Sequence, residues 1–303
     1  WEAEYCYRRI TQINPKNLTA WRNFARLNGG EDATATQAEM RRAVFARAIA
    51  LHDAGEFPQA GEAYLEALNG SLTHSAAWNL QILELEQAEE PSDRPRIAIY
   101  VCCHKAGPTP QDEMLRPIHV GAALAAGGIG FPGDDTGTNI SGKNRAYCEL
   151  TGHYWAWKND HDADFIGLAH YRRLFWFSHI QDPTISRYDR KAIPVRADFT
   201  SITRPEIARR MIAGCDVIVP MKWRLGPLDK QFVATAPPGH QADYALLWNL
   251  MVEIANRHHH AIYQGGKAAI ADGDGHYYNM MVMRRPYFEE YSAFLFDVLE
   301  RLE

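Results

Sequence analysis

Apolar positions over residues 1 to about 92 recur at helical spacing, with Ala, Leu, Glu and Arg dominant and no β-branched run. The stretch Ala43-Val44-Phe45-Ala46-Arg47-Ala48-Ile49-Ala50-Leu51 leads through Asp53-Ala54-Gly55-Glu56-Phe57 into Ala60-Gly61-Glu62-Ala63-Tyr64-Leu65-Glu66-Ala67-Leu68. That pattern predicts a helix, a turn at Gly55 and a second helix with small residues where the pair crosses. Tyr7 to Asn17 reads as the end of an earlier unit stopped at Pro15, with Ala20-Trp21 opening the next. The polar stretch Glu89-Glu90-Pro91-Ser92-Asp93-Arg94-Pro95 marks a boundary, giving domains 1–92 and 93–303. Beyond it the texture changes to short apolar runs. Ile97 to Cys103, Asp164 to Ala169 and Asp216 to Pro220 each read as a strand buried on both faces. Helical patterns lie between them. This alternation predicts a mostly parallel α/β sheet, whose ligand would sit beyond the carboxyl ends of the strands.

The helical half resembles tetratricopeptide repeats. Two readings stand for it: a solenoid that docks a protein partner, or a plain helical cap on the following domain, since about two units are visible and repeats need neighbours to bury their faces. Composition narrows the function. Of 303 residues, 32 are basic and 37 acidic, a net charge of -5, which argues against bulk nucleic-acid binding and leaves room for a local basic patch. The longest apolar runs fall short of a membrane span, and no signal peptide is expected. Opening at Trp1 inside a helical pattern, the sequence is expected to be a piece of a longer protein. Cys6, Cys102, Cys103, Cys148 and Cys215 are odd in number and never spaced as C-x-x-C, as expected of reduced thiols in the cytoplasm.

Candidate chemistry follows the strands. His104-Lys105 after the first run is placed to meet a phosphate or a base edge, or is a solvated loop pair. The turn Asp134-Asp135-Thr136-Gly137-Thr138-Asn139-Ile140-Ser141-Gly142-Lys143-Asn144 feeds a helix through Asn139 or Ser141 as N-cap. A diphosphate can rest on such a helix start, and the two carboxylates can hold a metal or order the turn. Tyr147, Leu150, Tyr154 and Trp157 mark that helix's expected buried face. Trp155, Lys158 and Asn159 at its end read as a sugar-binding edge or as packing. The sharpest motif is Ala169-His170-Tyr171-Arg172-Arg173, directly after a buried strand: two guanidiniums there are poorly explained by packing and suit forked recognition of phosphate oxygens. His240 and Asp243, three apart where a loop enters a helix, are candidate general bases; Asp243 also fits a first-turn carboxylate favoured by the dipole. The run His258-His259-His260 reads as a solvated helix end.

Several blocks in order carry a resemblance: Cys103-His104-Lys105, Pro117-Ile118-His119-Val120-Gly121, Asp134 to Ser141, Glu149-Leu150-Thr151-Gly152-His153-Tyr154-Trp155-Ala156-Trp157-Lys158-Asn159, His170-Tyr171-Arg172-Arg173 and Tyr278-Asn279-Met280. Over residues 97 to 303 they resemble a family long catalogued as a domain of unknown function in bacterial capsule and O-antigen clusters, some of whose members are assigned as galactofuranosyltransferases. The resemblance implies a single Rossmann-like glycosyltransferase domain of the GT-A type, a UDP-sugar donor, a polysaccharide or lipid-linked glycan acceptor, an inverting outcome, and work at the inner face of the cytoplasmic membrane. On this view His104 and Lys105 meet the nucleotide. Asp135, Asn139, Ser141, Asn144, Trp155 and Lys158 shape the sugar-nucleotide pocket, and Asn279 faces the sugar. The family fold commonly carries an Asp-x-Asp metal clamp at the central strand's end; here His170-Tyr171-Arg172 takes that place, so Arg172 or Arg173 is expected to neutralise the diphosphate. Manganese or magnesium stays open as a cofactor. The rival readings are a docking module that has lost catalysis, a glycoside hydrolase with two facing carboxylates, and a metal-dependent hydrolase, which no H-x-x-x-H spacing supports.

Overall fold

The computed structural model describes residues 33–68, 73–89, 94–180, 204–220, 222–224 and 226–303. The sequence segments Tyr7 to Asn17 and Ala20-Trp21, and most of the expected linker, lie outside them. The chain divides into two compact units: residues up to 90 with 176–192 and 200–207, and 91–175 with 193–199 and 208–303.

In the first unit, helices α1 (Ala33–Asp53), α2 (Phe57–Ala67) and α3 (Thr73–Gln87) pack in succession. Gly55 sits at φ 75°, a left-handed value open to glycine, and Glu56 N–H closes on the Leu51 carbonyl at 2.9 Å, ending α1 where the sequence predicts a turn. Pro58 then falls in the first turn of α2, where its missing N–H costs nothing. Phe45, Ala48, Ala60, Tyr64 and Ala76 fill the core between the helices. Small side chains at the crossings let the large ones interlock.

The second unit holds a five-stranded sheet of order β2-β1-β3-β7-β4, from β1 (Ile97–Cys103), β2 (Leu115–His119), β3 (Phe165–His170), β4 (Val217–Ile218) and β7 (Met281–Arg284). A separate pair joins β5 (Trp223–Arg224) to β6 (Asp274–Gly275). β2, β1 and β3 run parallel, and β7 is antiparallel to both β3 and β4. The sheet is therefore mostly parallel, as the sequence predicts, with one reversed strand. All seven residues of β1 are buried, matching its unbroken apolar run. The third run behaves otherwise: β4 is two residues long, and Val217 is 42% exposed because β4 sits at the sheet edge beside β7.

The remaining helices are α4 (Asn144–Tyr147), α5 (Leu150–Asn159), α6 (Pro205–Ala213), α7 (Leu228–Ala234), α8 (Gln241–His258), α9 (His260–Asp272) and α10 (Arg285–Leu302). The continuous helix expected after Ser141 is broken at Cys148, which adopts φ 48°. Its buried face also differs from the aromatic one expected: Thr151, Gly152, His153 and Ala156 are buried. A Cβ on Gly152 would stand 2.8 Å from Val120, so the small residues let α5 lie close on the sheet. Tyr154 and Trp157 instead pack edge-on and stacked against Phe296 of α10. Among the described residues, no helix is long and apolar enough to cross a membrane.

Candidate functional site

The carboxyl ends of β1, β2 and β3, and the amino end of the reversed β7, meet at one edge of the sheet. A cavity of about 310 Å³ opens there, lined by Cys102, His104, Val120, Asn144, Cys148, Glu149, His170, Tyr171, Arg172, Arg173 and Tyr278. The topology explains the convergence. β7 runs opposite to β3, so the residues preceding it reach the same edge as the residues following β3.

The His170 to Arg173 segment is a tight reversal. His170 N–H donates to the Arg173 carbonyl at 3.0 Å and Arg173 N–H to the His170 carbonyl at 2.9 Å, while Tyr171 N–H holds the Cys102 carbonyl of β1 at 3.2 Å. His170 Nε2–H donates to the Tyr278 carbonyl; since a carbonyl can only accept, this fixes the ring's tautomer. Two aromatic rings back the cations. The Arg173 guanidinium lies 4.3 Å from the Tyr278 ring centre and that of Arg172 lies 5.0 Å from Tyr171, whose ring also faces Lys105 at 5.7 Å. Stacking of this kind holds a guanidinium by its face and leaves its N–H edge free for a ligand. His104 packs edge-on against Tyr171 at 5.0 Å. Burial, and then the charges of Lys105, Arg172 and His119, hold its imidazole below the ordinary histidine range. His104 is therefore a neutral hydrogen-bonding group at neutral pH, in a strongly cationic rim.

Glu149 is the one carboxylate among the described lining residues. It accepts from Asn279 Nδ2 at 2.8 Å. Cys148, Tyr278 and Asn279 have φ of 48°, 81° and 51°. Of the four described non-glycine residues with positive φ, these three lie at or beside the cavity, and strained backbone of this sort clusters at functional sites. Burial first, and then the Glu149 charge, raise the Cys102 thiol, which stays protonated, so the cavity offers no thiolate nucleophile there.

The cavity wall hangs on Asp134, which is fully buried. Its carboxylate accepts from Gly121 N at 2.9 Å, Ala122 N at 3.0 Å, Thr151 Oγ1 at 2.5 Å and the Ser141 hydroxyl. Gly121 is required: its φ is 72° and a Cβ would lie 2.6 Å from Asn144 Cγ. Asn144 in turn donates to the Cys148 carbonyl at 2.6 Å and to Thr151 Oγ1 at 3.0 Å.

The structure thus brings together His104, Asn144, His170, Tyr171, Arg172 and Arg173 of the residues expected from sequence, with Lys105 on the Tyr171 ring. It does not bring the others to the cavity lining. Ser141 is buried and spent on Asp134 and Ala123 N. Asn139 caps its own turn, accepting from Ser141 N and donating to the Gly137 carbonyl. Asp135 is exposed beside that turn. Trp155 Nε1–H donates to Thr136, and its ring meets Tyr100 edge-on. Lys158 lies over Trp157 at 3.3 Å. Asn279 donates its amide to Glu149. His240 and Asp243 pair with each other at 3.0 Å on the exposed start of α8, with side chains 62% and 75% exposed. Sequence reasoning passed over Glu149 and Tyr278 as site residues, although both stand inside the motif blocks it singled out.

A divalent clamp on a diphosphate does not fit this donor set. Among the described residues the lining offers one carboxylate, already held by an amide, and Asp134 has its oxygens filled by four donors.

Fold and cavity define an α/β domain with a mostly parallel sheet and a cleft rimmed by arginines at the strand ends. The chain belongs to the family described as "Domain of unknown function (DUF4422)", which matches residues 98–303. It is similar to a solved structure titled "WbbM bifunctional glycosytransferase apo structure", with a TM-score of 0.57 and 33% identity over 68% of this chain and 37% of that one. It thus spans about 37% of the length of that protein. No curated protein matches it.

Proposed function

We propose that this chain is a glycosyltransferase that moves a hexose from a UDP-sugar to a growing surface-polysaccharide acceptor, with inversion at the sugar carbon. The observation that carries the reading is the pair of guanidiniums, Arg172 and Arg173, stacked on tyrosines at the end of β3, in a fold resembling a bifunctional glycosyltransferase. A nucleoside diphosphate leaving group develops negative charge as the glycosidic C–O bond breaks. Fixed cationic donors stabilise that charge with little reorganisation. Tyr171 and His104 supply a flat face and a neutral ring for the nucleotide.

The acceptor hydroxyl needs a base on the face opposite the departing diphosphate. Glu149 takes this role in our reading, in place of the exposed Asp243 and His240. Its carboxylate accepts the acceptor proton as the acceptor oxygen bonds the anomeric carbon and the nucleoside diphosphate departs. Asn279 orients it. Galactofuranose is the donor sugar we favour, on the family resemblance. An acceptor anchored on lipid would bring the protein to the inner membrane face, and helices α1 to α3 offer a repeat-like surface for a protein partner.

Calorimetric titration with UDP, with manganese and with EDTA, tests the reading. Binding that survives EDTA and weakens at least tenfold in both Arg172→Ala and Arg173→Ala is expected. Binding seen only with manganese would overturn the arginine clamp, and consumption of no UDP-sugar with any glycan acceptor would overturn the transferase.

A further inference from the structure

The first unit contains a cluster that the proposed transfer reaction does not use. His52 of α1, Glu86 of α3 and His179 are all nearly buried, and one ligating atom from each lies within 4.8 Å of the other two. The Glu86 carboxylate accepts from His52 Nε2 at 2.7 Å. The two imidazoles lie face to face, with ring centres 4.2 Å apart. His179 Nδ1 is buried and has no hydrogen-bond partner. An orphaned buried ring nitrogen costs stability unless something else uses it.

We propose that His52, Glu86 and His179 form a divalent transition-metal site, with zinc as the ion that suits it. Two imidazoles and one carboxylate are a recurrent zinc donor set, with a fourth position left for water. The surrounding bonds are those that orient metal ligands. His179 Nε2–H donates to Asp53 Oδ1 at 2.9 Å, which leaves the lone pair on Nδ1 for the ion. His52 Nδ1 meets the Tyr64 hydroxyl at 3.1 Å, which leaves Nε2 to face Glu86 and the ion. Glu86 also bonds Arg204 through its other oxygen, Oε1, so Oε2 is the oxygen that turns to the ion.

Zinc bonds of ~2.0–2.1 Å set ligand atoms about 3.3 Å apart. The His52–Glu86 contact would open by roughly half an ångström, and the stacked rings would swing so that both nitrogens point at one centre. The ion would tie α1, α3 and the segment at His179 into one knot. The transfer reaction proposed above does not use it.

The test uses the whole chain, stripped with EDTA and titrated with zinc chloride, with cobalt as a spectroscopic probe. One zinc per chain is expected, with a cobalt spectrum of tetrahedral type. His179→Ala and Glu86→Gln should abolish it. Asp53→Asn, on a half-exposed side chain, should weaken it about 10- to 100-fold while circular dichroism stays unchanged. A His258→Ala/His260→Ala control should bind as before. No zinc bound at micromolar concentration overturns the site. So does binding that is lost in the His258/His260 control, or that is unaltered in Asp53→Asn and His179→Ala.

Discussion

Replacing Asp134 by asparagine changes one atom and breaks a defined pattern. Each oxygen of the buried carboxylate serves one backbone N–H and one hydroxyl: Gly121 N and Thr151 on one side, Ala122 N and Ser141 on the other. An amide keeps one of these oxygens. Its NH2 must then face either Gly121 N–H or Ala122 N–H, both donors that cannot accept. The hydroxyl on that side can turn to accept, yet Ser141 Oγ already accepts from Ala123 N and Thr151 Oγ1 from Asn144. One backbone N–H is therefore orphaned and the charge that strengthened the other bonds is gone. Hydrogen bonds to charged groups contribute about 1.5–3 kcal/mol each, so Asp134→Asn is expected to cost roughly 2–3 kcal/mol. Asp134→Ala orphans both backbone N–H groups and the Ser141 hydroxyl, while Thr151 Oγ1 can still donate to the Cys148 carbonyl at 3.1 Å, and should cost at least about 4 kcal/mol. Urea unfolding measures both. Asp135→Asn, on an exposed side chain, serves as the control and should stay within about 0.5 kcal/mol of the parent. Since Asn144, Cys148 and Glu149 lie between the tied points at 141 and 151, UDP affinity should fall in Asp134→Asn even where the chain remains folded. An Asp134→Asn protein as stable as its parent, with unchanged urea slope, would refute the reasoning. Loss of UDP binding in Asp135→Asn alone would return the carboxylates to metal binding.

Two further outcomes follow from the site and the core. Glu149→Gln should lower transfer by about 10²–10⁴-fold with UDP affinity little changed, whereas Asp243→Asn should leave transfer near the parent rate; steady-state kinetics with saturating acceptor decides, and the reverse ranking would put the base on α8. The second concerns His153, which stacks on Phe288 and bonds Ser292 at 2.8 Å. Burial pushes its imidazole down to about 3. The unfolded chain takes up this proton near pH 6.5 and the folded chain refuses it until near 3. The neutral ring's contribution is thus fully present above about pH 6.5 and declines by about 1.4 kcal/mol per unit as pH falls toward 3. Urea unfolding at pH 7.5 and 5.0 should show the parent losing about 2 kcal/mol more than His153→Gln, and parallel losses would show that His153 does not govern the acid limb.

Charge placed next to deep burial is legible in a sequence, and partnership across the chain is not. The His170 to Arg173 motif is legible because it follows an unbroken buried strand, where packing explains two guanidiniums poorly. β1 was equally plain, since seven consecutive apolar residues fit a strand covered on both faces. β4 was not, because two residues of an edge strand take their exposure from the neighbour at β7. Asp134 and Asp135 look alike in sequence, and burial alone separates the structural hub from the surface carboxylate. Glu149 depends on Asn279, brought to it by the reversal of β7, and on the break at Cys148 that ends one helix and starts another. His240 and Asp243 were readable as a pair from their spacing of three, which fixes their contact on one helix and says nothing of which cleft they face. Local spacing determines which side chains touch along an element; the strand order β2-β1-β3-β7 determines which of them share a cavity. A chain of this family that kept the motif blocks and lost the antiparallel insertion of β7 would therefore keep its arginines and lose the Tyr278 ring that backs Arg173 and the amide that holds Glu149.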